Sequence, residues 1–191
     1  MNFLLNHSDH LWIVPHKKFE KALNNKWAQE ILRIYTSKNL KYSANGKPHL
    51  ETKNIHLSLS HTKDKLFIAV SRNPVGVDAE EIKPRRHIDQ IAHRFFPKPS
   101  RSSSLQTHAK QSSLINFYRE WTAREAFLKI IDGKLLSLKK IHTKSCGDDL
   151  SVGFFKDLLH EAKFLMFHEL LICLCKHRDA HREISVFEVT A

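Results

Sequence analysis

An α+β fold is predicted by one pattern met twice: apolar residues at helical spacing followed by short runs that alternate or are apolar throughout. The first pass takes in residues 17–35 and then "NIHLSLSH", "KLFIAVS" and "VGVDAE". The second takes in residues 88–96 and 114–131 and then "LSVGFF", "KFLMF", "LLICLC" and "ISVFEV". Helix followed by strands, repeated, predicts two αβ halves around a shared cleft, residues 1–75 and 76–191. The halves show no sequence self-similarity, so a duplicated origin is not part of the prediction.

Taken in order, Phe19, Ala22, Leu23, Ile31, Leu32 and Tyr35 fit one face of an amphipathic helix. "ANGKPH" breaks it, because Gly46 and Pro48 favour a turn. The next three strands are separated only by "TKDK" and "RNP", the mark of an antiparallel meander. After Pro84, the residues Ile88, Ile91, Ala92, Phe95 and Phe96 recur at helical spacing until Pro97 stops the helix. "PKPSRSSSLQTHAKQSS", residues 97–113, has the serine, lysine and proline content of an exposed, mobile loop. A long helix from about Leu114 to Ile131 precedes the closing strands.

A chain of 191 residues with 41% apolar content is long enough to bury a sizeable core. "MNFLLNHSDHLWIVPH" has neither a basic leader nor an apolar run of membrane-spanning length, so the expected location is cytoplasmic. Cys146, Cys173 and Cys175 are read as reduced thiols, the last two as buried strand residues. "CLCKH" lacks the CxxC partner spacing of a zinc site. The formal charge of +11 runs along the whole chain and predicts an acidic partner. Fourteen histidines make that charge sensitive to pH between about 5 and 7.

Three places carry residues suited to chemistry. In "GVDAE" strand alternation presents Asp78 and Glu80 on one face, a like-charged pair that a hard metal such as magnesium would compensate. The plainer interpretation is a solvated strand end with Glu80, Glu81 and Lys83 in water. In "FYREWTAREAFLKIIDGK" Glu125 and Lys129 lie one turn apart, with Trp121 a turn earlier. A surface ion pair is the ordinary outcome, but Ala126, Phe127, Leu128 and Ile130 make this helix apolar enough to line a cleft instead. "LSLSHT" ends a strand with Ser58, Ser60, His61 and Thr62, donors able to hold phosphate oxygens. No Walker loop, dinucleotide fingerprint or G-x-S-x-G accompanies them.

"NGKPHL", "LSLSHT", "VGVDAEEIKP", "HRFFPK" and "WTAREAFLK", in this order, resemble the 4′-phosphopantetheinyl transferases of the longer, surfactin-synthetase-activating type. The resemblance covers roughly residues 45–135. It implies a pseudodimer of two similar αβ halves with coenzyme A and the active site in the cleft between them. It also implies magnesium-dependent transfer of the phosphopantetheine arm to a serine of an acidic carrier protein, with release of 3′,5′-ADP. Residue by residue, it makes Asp78, Glu80 and Glu125 magnesium ligands, Glu125 and Lys129 catalytic, and Ser60 and His61 phosphate contacts. Lys47 and Pro48 become a turn beside the adenine. The expected protein is a monomer that does not bind membranes.

Several positions depart from the family pattern. Ser100 stands where an acid is usual after "RFF", which leaves the general base unassigned. Arg124 replaces a lysine, Ala79 a larger apolar residue, and "DGK" at 132–134 a G-x-G turn. Asn24 falls at a commonly basic position. The rival readings are a weakened paralogue that binds coenzyme A or a carrier protein and, further off, a basic nucleic-acid-binding module. The latter shows no helix-turn-helix, zinc-finger or RNP motif.

Overall fold

In a computed structural model the described residues are 5, 8–17, 21, 24–37, 40–50, 52, 54–96, 110–154, 157–180 and 182–190. The fold is α+β. Its strands are β1 (Ser8–Pro15), β2 (Leu40–Tyr42), β3 (Pro48–Leu50), β4 (His56–His61), β5 (Lys65–Ser71), β6 (Val75–Glu81), β7 (Ile141–Cys146), β8 (Asp149–Phe154), β9 (Asp157–Phe167), β10 (Leu170–His177) and β11 (Glu183–Glu188). The helices are α1 (Lys26–Tyr35), α2 (Ile88–Phe95) and α3 (Lys110–Ile131), and a 3₁₀ segment spans Leu135–Lys140.

Two sheets stack face to face. One runs β11-β1-β5-β4 and the other β6-β10-β9-β8-β7, while β2 and β3 form a separate hairpin. Strand alternation assigns each side chain a layer. Leu66, Ile68 and Val70 of β5 join Ala28, Ile31, Leu32 and Tyr35 of α1 on the outer face of the first sheet. Phe67 and Ala69 turn the other way and meet Val75, Val77, Ala79, Ile172 and Leu174 between the sheets. Cys173 and Cys175, the alternate residues of β10, pack on Ala123, Ala126 and Phe127 of α3. Both thiols are buried, as the sequence predicts, and burial pushes both upward from the usual thiol pKa. The layers are therefore α1, first sheet, second sheet, α3.

The structure departs from the sequence expectations at four points. The helix predicted from residue 17 starts at Lys26, where Asn25 caps it. Its side chain accepts from Trp27 N at 3.0 Å and Ala28 N at 3.3 Å, a cap worth about 1 kcal/mol. Phe19, Ala22 and Leu23 lie outside the described residues. The meander stops after two strands: β4 pairs with β5, but β6 pairs with β10 in the other sheet. β5 already has β1 on its second edge, so residues 72–74 carry the chain across instead. α3 begins at Lys110, inside the stretch expected to be loop, and residues 97–109 lie outside the described residues. β1 is a further strand, in a segment for which the sequence pattern predicts no element.

A buried ion pair ties the sheets together. Lys176 Nζ on β10 donates to Asp9 Oδ2 on β1 at 2.9 Å and to Arg182 O at 2.8 Å, and Ser71 Oγ donates to Asp9 Oδ1 at 2.7 Å. Asp9 and Lys176 are 2% and 3% exposed, so neither charge can turn to water if its partner is lost. β11 pairs in parallel with β1 and brings the end of the chain back to the first sheet. Among the described residues no helix is long and apolar enough to cross a membrane.

Lys176→Met should cost about 3–5 kcal/mol by leaving Asp9 buried without its closest cation. The urea midpoint should fall with the slope unchanged.

Candidate active site

β6 and α3 form the floor of the site, and their separation is set by a glycine. A Cβ at Gly76 would stand 1.8 Å from the Ala126 carbonyl oxygen, which is backbone and cannot swing aside. Gly76, Asp78 and Glu80 share the strand face turned toward α3, as alternation requires. With helix and strand this close, Lys129 Nζ reaches both Val77 O and Asp78 Oδ1 at 2.8 Å.

Asp78 is 7% exposed and is held from two sides. Its Oδ1 also accepts from Ser60 Oγ at 3.0 Å. Ser60 Oγ in turn accepts from Ala79 N at 3.2 Å, and Ser58 Oγ accepts from Val77 N at 3.0 Å. The two serines of β4 thus supply acceptors for the edge of β6 that β10 does not cover. Asp78 Oδ2 is buried and has no hydrogen-bond partner among the described residues.

Three carboxylates gather here with two cations. Glu80 accepts from Arg85 at 2.6 Å and from Trp121, yet burial and the neighbouring Asp78 charge hold its pKa above the usual carboxylate value. Burial pushes Glu125 up to about 7, with Asp78 and Glu80 adding to the shift and Lys129 opposing it. Asp78, Glu80, Glu125 and Lys129 are therefore one electrostatic unit. Among the described residues no three His, Cys, Asp or Glu side chains converge as a formed metal shell, since Asp78 is turned to Lys129 and Glu80 to Arg85. The donor set nonetheless fits a hard divalent cation: all oxygen, excess negative charge, and a buried carboxylate oxygen left over.

A cleft of about 250 Å³ opens beside this unit, walled by Lys47, Pro48, Ser58, Glu125, Lys129 and Leu135 among others. Its far wall is the β2–β3 turn, which docks on the end of α3. Lys47 Nζ donates to Ile130 O at 3.1 Å, Asn45 Nδ2 to Asp132 O at 2.8 Å, and Ser43 Oγ to Asp132 Oδ1 at 3.0 Å. Positive charge near helix C-terminal carbonyls is favourable. Asp132, in the left-handed region at φ 52, presents both its carbonyl and its carboxylate to the turn, so the altered "DGK" is what joins the two walls.

The remaining sequence candidates fall elsewhere. His61 is exposed at the end of β4, 5.3 Å from the His16 ring and away from the cleft lining. Ser60 is committed to Asp78 and Ala79. Arg124 is buried behind the site, donating to Ile141 O at 3.1 Å, Glu120 O at 2.9 Å and Thr143 Oγ1 at 3.0 Å. A lysine lacks the fork that makes these three bonds. Asn24 is exposed, and Ser100 lies outside the described residues. Two contributors escaped the sequence reading. Arg85 belongs to none of the motifs that carry the chemistry, and Gly76 gives no sign in sequence of the helix above it.

The family model of the 4′-phosphopantetheinyl transferase superfamily matches residues 74–175, more than half of the chain. The chain belongs to this superfamily. The match runs from β6 into β10 and includes β6 and α3, the two elements that carry the carboxylates and Lys129. Similar relatives include the 4′-phosphopantetheinyl transferase gsp of Aneurinibacillus migulanus, 33% identical over 114 residues, which cover 58% of this chain and 46% of the relative. The 4′-phosphopantetheinyl transferase psf-1 of Bacillus pumilus is 40% identical over 88 residues, 45% of this chain and 36% of the relative. The Sfp transferase of Bacillus subtilis is 35% identical over 94 residues, 49% and 40% of the two chains. The matched stretch thus spans less than half the length of these superfamily members.

Gly76→Ala should destabilise this superfamily member by about 3 kcal/mol, the upper end for overpacking, because only backbone can yield. Chemical denaturation checks it. Glu125→Gln removes one of three crowded carboxylates and should raise the melting temperature of the protein in chelator, measured by calorimetry.

Proposed function

We propose that this superfamily member transfers the 4′-phosphopantetheine arm of coenzyme A to a serine of an apo carrier protein, releasing 3′,5′-ADP. The observation that carries the proposal is the junction of Lys129 with Asp78, flanked by Glu125 and Glu80, at the wall of a cleft whose opposite side holds Lys47. On this reading residues 1–75 and 76–191 are the two αβ halves, with β11 crossing over to complete the sheet of the first.

The serine oxygen attacks the β-phosphorus of the coenzyme's pyrophosphate. A new P–O bond forms as the bridging P–O bond breaks, the electron pair leaves on 3′,5′-ADP, and the serine proton passes to a base. The chain's task is to hold charge and orientation rather than to form covalent intermediates. Lys129, anchored by Val77 O, presents a fixed ammonium to the reacting phosphate, where a preorganised charge is most effective. Ser60 and the β6 backbone fix Asp78 in place. Lys47, whose pKa burial lowers, sits where the adenine-bearing end of the coenzyme would lie.

Asp78, Glu80 and Glu125 would hold magnesium, which when bound neutralises charge on the phosphate oxygens. The substrate serine is offered by an acidic carrier protein, and a net charge of +11 favours its approach through long-range attraction.

Asp78→Ala and Glu125→Ala should each lower transfer to an apo acyl carrier protein by about 10²-fold or more while the fold persists. Mass spectrometry of the carrier and circular dichroism of the enzyme check this, and near-normal turnover in either variant removes the proposed metal site. Lys129→Ala should reduce kcat more than it weakens coenzyme binding.

A further inference from the structure

The 3₁₀ segment Leu135–Lys140 leaves α3 at the cleft and presents a surface that the chemistry above does not use. With three residues per turn, it carries three rows of side chains. Leu135 and Leu138 form one: Leu138 is fully buried and fastens the segment to the core, and Leu135 lines the cleft. Leu136 and Lys139 form the second and face outward, with Leu136 the most exposed large apolar side chain among the described residues at 70%. Lys140 follows on the third, and Lys134 precedes the segment. All three lysines are exposed, and none makes an ion pair with a described residue.

A single exposed leucine is ordinary on a protein surface. Here two adjacent leucines, one reaching into the cleft and one pointing outward, are framed by three exposed lysines that pair with no acid among the described residues, on a segment anchored by Leu138. Apolar contact would supply affinity, and the lysines would select and orient a partner of opposite charge. The complementary surface is a protein segment with an apolar side chain set among carboxylates.

We propose that Leu136, Lys139 and Lys140 form the docking surface for the acidic carrier protein, placing its serine at the cleft beside Leu135. The proposal rests on the transferase reading and names where its protein substrate seats. Because Leu136, Lys139 and Lys140 lie outside the cleft lining, docking there separates carrier recognition from coenzyme binding.

The test compares wild type, Leu136→Asp and Lys139→Glu/Lys140→Glu, using an apo acyl carrier protein and coenzyme A as probes. None of these side chains lines the cleft, and their exposure makes the variants compatible with folding. Calorimetric affinity for coenzyme A should be unchanged. The KM for the carrier should rise about tenfold in each variant, and the Kd for carrier alone should follow. Equal carrier KM in all three proteins, with the wild type active, overturns the docking surface and leaves the transferase reading intact. A wild type that neither binds coenzyme A nor modifies the carrier overturns both. Concentration-dependent self-association of the wild type, abolished by Leu136→Asp, overturns the proposal in favour of a second copy as occupant.

Discussion

The distance between β6 and α3 is the constraint on which the rest of the site depends. An α-helix ordinarily rides above a strand on the side chains between them, but at Gly76 there is none, and the Ala126 carbonyl occupies the space a methyl group would need. Only at that separation can the Lys129 ammonium touch a backbone carbonyl and a carboxylate of β6 together. The same approach buries Glu125 and Glu80 near Asp78, which is why all three carboxylates influence one another. The stability cost of this crowding is offset by the apolar packing of α3 on β7, β8, β9 and β10.

The cleft has a second determinant at the other end of α3. The turn between β2 and β3 belongs to the first half of the chain, yet its polar groups are satisfied by the terminal residues of a helix from the second. Lys47, Asn45 and Ser43 replace solvent as partners for Ile130 and Asp132. The opposing walls are thus fixed by hydrogen bonds, while Asp9 and Lys176 clamp the sheets through an ion pair.

Much of this was legible in sequence because it depends on local periodicity. Strands β4, β5, β6, β8, β9, β10 and β11, helices α2 and α3, and the Gly46 turn follow from spacing and breakers. Asp78, Glu125 and Lys129 were legible through ordered motifs, and the structure brings them together with Glu80. Lys47 and Pro48 join them at the cleft. What escaped is long-range. Alternation reveals that "VGVDAE" is a strand but not that its partner is β10 rather than β5. "LSLSH" advertises donors for phosphate, whereas Ser58 and Ser60 instead serve the edge of β6 as acceptors. A change from lysine to arginine at position 124 looks like a matter of charge near the reaction, but the guanidinium points away and braces α3 against β7.

The parallel pairing of β1 with β11 bears on how the protein is made. Ser8 and Ser185, joined across these strands, are 177 positions apart. During synthesis β1 can find β5 early, but its other edge stays open until almost the whole described chain has left the ribosome. That edge includes Trp12, whose ring stacks on Phe187 only once β11 arrives, 4.5 Å between centroids. An unpaired edge with an uncovered aromatic is the kind of surface on which nascent chains associate wrongly. Closure over so long a separation also slows folding, since its entropy is lost before the contacts that reward it form. The last strand in the sheet order of assembly is therefore a timing element as well as a layer of the fold.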